Sequence, residues 1–186
     1  FACLTIWLEK FNVGAIGHEW VFSFWDRFLI AGRALWFYMG KLAWPFPIIF
    51  TYPRWVIDDS ISWQYFYPLS FLLLIFTLWV LRKSIGRGPL TGILFFAGSL
   101  FPALGFFSVY PMKYSFVADH FQYLPCIGVI AVFVSTGDKL LGKKASWAGF
   151  ILSVGLLFFL GNITWNQGPV YKDAFSLWED TIKKNP

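Results

Sequence analysis

The run WAGFILSVGLLFFLGNITW, from Trp147 to Trp165, crosses 19 residues without one charged side chain and has a tryptophan at each end. Each helical residue advances about 1.5 Å, so a run of this length nearly covers a hydrocarbon core of about 30 Å. A bilayer offers no water to an unpaired peptide group, so the run has to be helical, and terminal tryptophans match rings anchored at the two interfaces. The rest of the chain agrees: 58% of its 186 residues are hydrophobic, 23% aromatic and only 13% charged, against about 25% charged in a soluble domain. Disorder, a coiled coil and a disulfide scaffold are excluded together. Cys3 and Cys126 are too far apart in sequence to form a metal or redox motif and read as small hydrophobes.

Three further stretches are depleted of charge. One runs from Trp63 to Leu81 with Pro68 in its first turns, a second from Pro89 to Phe107, and a third from Phe121 to Thr136. Pro89 suits a first helical turn, whereas Gly98, Pro102 and Gly105 predict a kink or an early end. A fifth candidate, Arg27 to Trp44, is interrupted by Arg33 and Lys41. A cation inside a span faces a polar interior or snorkels, so this segment either crosses the membrane lining a site or lies in the interface. Lys41 is near enough to the end to snorkel, and Arg33 reads as an interior-facing charge. Phe1 to Leu8 read as the end of an earlier helix, and the chain as a segment of something longer.

The net charge of +5 resides largely in short gaps: Arg82, Lys83 and Arg87 in one, Lys139, Lys143 and Lys144 with Asp138 in another. These gaps form no basic face, so nucleic acid is not an expected partner. By the positive-inside rule both gaps are cytoplasmic, which puts residues 51–62, 108–120 and everything beyond Trp165 on the exoplasmic side. The triplet Asn162, Ile163, Thr164 has the form of a glycosylation acceptor but overlaps the membrane edge.

Two exoplasmic loops carry the candidate chemistry. In YPRWVIDDSISWQY, from Tyr52 to Tyr65, a structural reading has Trp55 and Trp63 as interfacial anchors and Arg54 paired with Asp58 or Asp59. A functional reading has Arg54 binding phosphate through its planar fork of donors. In SVYPMKYSFVADHFQYLP, from Ser108 to Pro125, Lys113, Asp119 and His120 fall beside Tyr110, Tyr114 and Tyr123 at headgroup depth. Lys113 offers a point charge and His120 a switchable donor, with Asp119 either orienting one of them or capping the helix expected near Phe121. Arg54, Lys113 and His120 are the donor-phosphate candidates. His18 and Glu19 read as a structural polar junction, and no metal ligand set is assigned.

After Trp165 the composition changes. In WNQGPVYKDAFSLWEDTIKKNP, Ala174, Leu177, Trp178 and Ile182 form one helical face among charges, and such a helix needs a packing partner. Together with GRALWFYMGKLAWP (Gly32 to Pro45), YPRW (Tyr52 to Trp55) and LFPALGFFSVYPMKYSFVADHFQYLP (Leu100 to Pro125), this tail resembles the C-terminal part of the membrane domain in bacterial tetratricopeptide-repeat membrane proteins similar to the transmembrane and tetratricopeptide-repeat O-mannosyltransferases.

That resemblance implies an all-α polytopic membrane helix bundle of the GT-C class. Residues 1–165 would belong to the membrane domain, and 166–186 would form an exoplasmic amphipathic helix leading into repeats. It implies transfer of a sugar, mannose in the family, from a polyprenyl-phosphate donor to a protein hydroxyl. Its implied partners are the lipid bilayer, the polyprenyl-linked sugar and a protein bound through the repeats. The implied location is the bacterial inner membrane with the C-terminus in the periplasm. The family's helix-entry motif, Ala-Glu-Arg before an aromatic and Leu-Pro, is matched at Ala118, Tyr123, Leu124 and Pro125, with Asp119 for Glu and His120 for Arg. The family's catalytic acid lies in its first exoplasmic loop, which has no counterpart assigned in this chain; no cofactor is assigned, and a divalent metal stays open. A non-catalytic scaffold or lipid-binding protein presenting repeats is the alternative reading, and a transporter a weaker one.

Overall fold

The computed structural model describes residues 22–107, 110–141 and 146–185. The expectations for Phe1 to Leu8, for His18 with Glu19, for Cys3 and for Lys143 with Lys144 lie outside these residues. Helices make up the regular structure, and no strand occurs among the described residues. The chain forms two compact units, divided between Val129 and Ile130.

The first unit is built around α1 (Phe24–Ala43). Ser23 starts it with a reciprocal cap: its hydroxyl accepts from the Asp26 N–H at 3.0 Å, and the Asp26 carboxylate accepts from the Ser23 N–H at 2.8 Å. Such a cap contributes about 1 kcal/mol. Leu29, Ile30, Ala31, Ala34, Leu35 and Tyr38 bury one face of α1. Arg27 ties the start of α1 to the chain beyond α3 (Gly88–Leu100), donating to the carbonyls of Gly105 at 2.7 Å and Phe106 at 3.1 Å.

A 3-10 turn, Ser62–Tyr65, leads into α2 (Phe66–Leu81). α1 and α2 approach closely because Gly32 has no side chain: a Cβ there would lie 2.5 Å from the Pro68 nitrogen and 2.6 Å from its Cα. α3 meets the start of α4 (Cys126–Leu141) in the same way, a Cβ on Gly128 falling 2.5 Å from the Gly92 carbonyl oxygen. Small residues at such crossings let helix backbones pack in lipid, where apolar burial gives no drive for association. The second unit holds α5 (Ser146–Gln167), a 3-10 turn Gly168–Tyr171 and α6 (Ala174–Lys184).

Two helical segments are long and apolar enough to cross a membrane, Ser62–Leu81 and Trp147–Tyr171. α2 is apolar all round yet leaves Leu69, Leu72, Leu73, Phe76, Trp79 and Val80 half or more exposed. The apolar window of the second segment is 0% buried. An all-round apolar helix is covered by protein or by lipid, and within their own units neither is covered by protein. These two helices support membrane association.

Of the four expected spans, two are found at full length among the described residues. The second expected span forms only a short apolar helix, Gly88–Ala103. Pro102 withholds a donor, and Gly105, at φ +92°, turns the chain against Ile30. The third starts five residues later than expected, at Cys126, because Asp119–Gln122 closes a separate 3-10 turn. Arg27 to Trp44 forms the packed centre of the first unit.

Candidate functional site

Arg33, Phe37 and Lys41 recur every fourth residue and therefore share one stripe of α1. The loop from Trp44 to Ile61 lies across that stripe. Tyr52 is buried with its ring 4.9 Å from that of Phe37 and the Lys41 ammonium 4.8 Å above it. Three residues on, Trp55 rests 5.9 Å from Phe37 and takes the Arg33 guanidinium on its face at 4.5 Å. Trp55, one of the two expected interfacial anchors, is half-buried between α1 and the second loop, whereas Trp63, the other, is 57% exposed.

The second loop reaches the same place from residues 110–122. Phe116 is buried, its ring 6.0 Å from Trp55, with the Arg54 guanidinium 5.3 Å over its face. Arg33 and Arg54 are thus gathered on one pair of touching rings. A guanidinium stacked on a ring directs its donors from the edge of its plane, and each such contact contributes about 0.5–2 kcal/mol according to its exposure.

Two tyrosines join the loops. The Tyr52 hydroxyl lies 3.0 and 3.1 Å from the two Asp119 carboxylate oxygens and 3.2 Å from the Pro47 carbonyl, and it accepts from the Ile49 N–H at 3.4 Å. The Tyr38 hydroxyl accepts from the Ala118 N–H at 3.0 Å and donates to the Ala118 carbonyl at 3.3 Å. Burial pushes the Asp119 carboxyl above the usual carboxylate range; the Tyr52 hydroxyl, Lys41 and His120 pull the other way without overcoming it. Asp119 is also not the helix cap considered from sequence. It opens the Asp119–Gln122 turn, Ala118 holds the cap position with no side-chain bond, and the carboxylate turns to Tyr52 instead.

His120, next in the chain, is exposed and edge-on to Phe121 at 4.4 Å. Lys113 is half-buried at the end of the Tyr110–Lys113 turn. Asp58 accepts from the Ser60 hydroxyl at 2.6 Å and N–H at 2.9 Å, which holds its carboxyl below the usual range. The Gln122 Oε1 is buried with no hydrogen-bond partner, an acceptor of the kind that water or a ligand hydroxyl satisfies.

Lys41, Tyr38 and Tyr52 were not among the site residues read from sequence. The signal for Lys41 was the four-residue spacing with Arg33 and Phe37 on α1, and that for Tyr52 its three-residue spacing from Trp55 in YPRW; nothing local in the sequence marked Tyr38. No group of three or more His, Cys, Asp or Glu gathers as a metal site among the described residues. No family model, curated protein or solved structure matches the chain.

Proposed function

We propose that the face formed by α1 and its two loops binds the phosphate of a polyprenyl-linked sugar, and that the chain belongs to a polytopic GT-C-like glycosyltransferase. The reaction is transfer of the sugar, mannose by resemblance, to a protein hydroxyl on the exoplasmic side, with residues 166–186 leading into repeats that engage a protein. The supporting observation is the gathering of Arg33 and Arg54 on the Trp55–Phe116 pair, beside the Tyr52–Asp119 junction and Lys41. These cations belong to a unit whose α2 is apolar enough to cross a membrane, so they suit an anion tethered to a lipid.

The chemistry follows from charge. When a glycosyl phosphate breaks at the sugar carbon, negative charge grows on the departing phosphate, and fixed cationic donors stabilise that charge more than the ground state. Arg54 supplies planar, paired donors, Lys113 a point charge, and His120 a donor whose charge depends on pH. Asp119 positions His120 rather than acting on the acceptor, and no general base is assigned within this chain.

The test is mannose transfer from a polyprenyl-phosphate donor by the full-length protein in vesicles. Arg54→Ala lowers transfer about 10²-fold if it stabilises the leaving phosphate, and Lys113→Ala and His120→Ala lower it in the same direction. Unchanged transfer in all three variants removes the donor-site reading. Absence of transfer by the unmodified protein, with repeat-mediated protein binding retained, favours the scaffold.

A further inference from the structure

α6 has one apolar face that is half or more exposed. At about 100° per residue, Phe175, Trp178 and Ile182 fall within an arc of about 60°, and they are 78%, 51% and 64% exposed. The neighbouring flank is covered, with Thr181 buried and Leu177 half-buried. The opposite side carries the ion pair of Asp180 with Lys184 at 2.7 Å, and the pair of Glu179 with Lys183 at 2.8 Å lies on the flank between the two.

What lies beside this stripe is set by the preceding helix. The span-length apolar segment ends at Tyr171, and its last turns carry Trp165, 83% exposed, and Tyr171, 52% exposed, ring types that collect at the membrane boundary. Only Lys172 and Asp173 separate Tyr171 from α6, and two residues reach at most about 7 Å. Asp173 then starts α6 directly by accepting from the Ser176 N–H at 2.8 Å. The exposed stripe therefore begins close to the end of the span-length segment.

We propose that α6 is an interfacial helix whose Phe175, Trp178 and Ile182 insert into the lipid surface of the leaflet in which α5 ends. This rests on α5 crossing the membrane. The occupant is lipid rather than a protein groove because the stripe starts at the boundary and consists of two large rings and a branched aliphatic. Insertion is driven by apolar area rather than by charge, since the acidic residues of 172–184 (Asp173, Glu179, Asp180) balance the basic ones (Lys172, Lys183, Lys184).

Spin labels on the full chain, with Cys3 and Cys126 first replaced by Ala, test this in vesicles of phosphatidylethanolamine and phosphatidylglycerol. Labels are placed by Ile182→Cys on the stripe, Lys183→Cys on the polar face and Leu157→Cys in α5. The proposal expects the label at 182 to be relaxed by oxygen more than by a water-soluble nickel complex, at a depth of about 5–10 Å. It expects the reverse at 183, the deepest position at 157, and no change in depth at 182 when the phosphatidylglycerol fraction is raised. A deep label at 157 with the label at 182 open to nickel, or closed to both reagents as in a protein contact, overturns the interfacial helix while α5 still crosses. A label at 157 that lies in water overturns both.

Discussion

Replacing Gly32 by Ala tests the packing that presents the site. The added Cβ would sit 2.5 Å from the Pro68 nitrogen and 2.6 Å from both its Cα and its Cβ. Two of these atoms are backbone and the third is fixed in a ring, so no rotamer change relieves the contact. Carbon atoms pack at about 3.5–4.0 Å, so α1 and α2 must separate by about 1 Å. That retreat also stretches the bond from the Trp36 indole N–H to the Tyr67 carbonyl, now 3.0 Å, to about 4 Å and out of range. Overpacking at about 1–3 kcal/mol and the lost bond at about 0.5–1.5 kcal/mol together give about 2–4 kcal/mol. Gly40→Ala on the same helix is the control: its Cβ meets nothing within 4 Å, and the better helix former stabilises by about 0.5–1 kcal/mol. Thermal unfolding of both variants in detergent, followed by near-ultraviolet circular dichroism, reads the difference. A Gly32→Ala variant as stable as Gly40→Ala would refute the close crossing and, with it, the placement of Arg33 one residue further on.

Asp119→Asn changes how stability depends on pH. The folded protein holds the Asp119 proton more tightly than the unfolded chain does, so this group's stabilising contribution is complete below about pH 4 and is lost as pH rises through its elevated folded value. The amide still accepts from Tyr52, and unfolding of Asp119→Asn in detergent should lack that loss above pH 4; an unchanged pH profile would remove Asp119 as its source. Tyr38→Phe leaves the Ala118 N–H without its acceptor at 3.0 Å, a cost of about 1–3 kcal/mol. Hydrogen exchange at residues 115–122 should accelerate, and wild-type protection there would contradict the clamp. A Ser84→Cys thiol in the Arg82–Arg87 gap should react only with reagents supplied from the cytoplasmic side, and exoplasmic labelling would reverse the orientation assigned to the loops.

The apolar helices were legible because length and absence of charge are local properties. Trp147 to Trp165 forms the long apolar helix expected of it, and Trp63 to Leu81 differs only by its opening 3-10 turn. The ends of the other two were less legible. Whether Pro102 and Gly105 kink a helix or end it depends on what receives the chain, and here Gly105 turns against Ile30 while Arg27 takes its carbonyl. The place of α1 at the packed centre was obscured by its own cations. Arg33 and Lys41 read as interruptions of a span because lipid penalises a bare charge, but rings from a loop further along the chain receive both.

That distinction also divides the candidate site. From sequence, Lys113, Asp119 and His120 form one cluster, three ionisable types within eight residues. In the fold, Tyr38 and Tyr52 hold the adjacent positions Ala118 and Asp119 from 80 and 67 residues away, distances no local periodicity encodes. Tyr38 holds the Ala118 peptide by both its N–H and its carbonyl, and Tyr52 holds the Asp119 side chain. With two successive residues restrained, the backbone at His120 is restrained as well, and its imidazole is left exposed. A variant that frees Asp119 from Tyr52 should therefore move His120. Tyr52→Phe and His120→Ala should then impair donor binding less than additively when combined, whereas additive losses would mean that the two residues act independently.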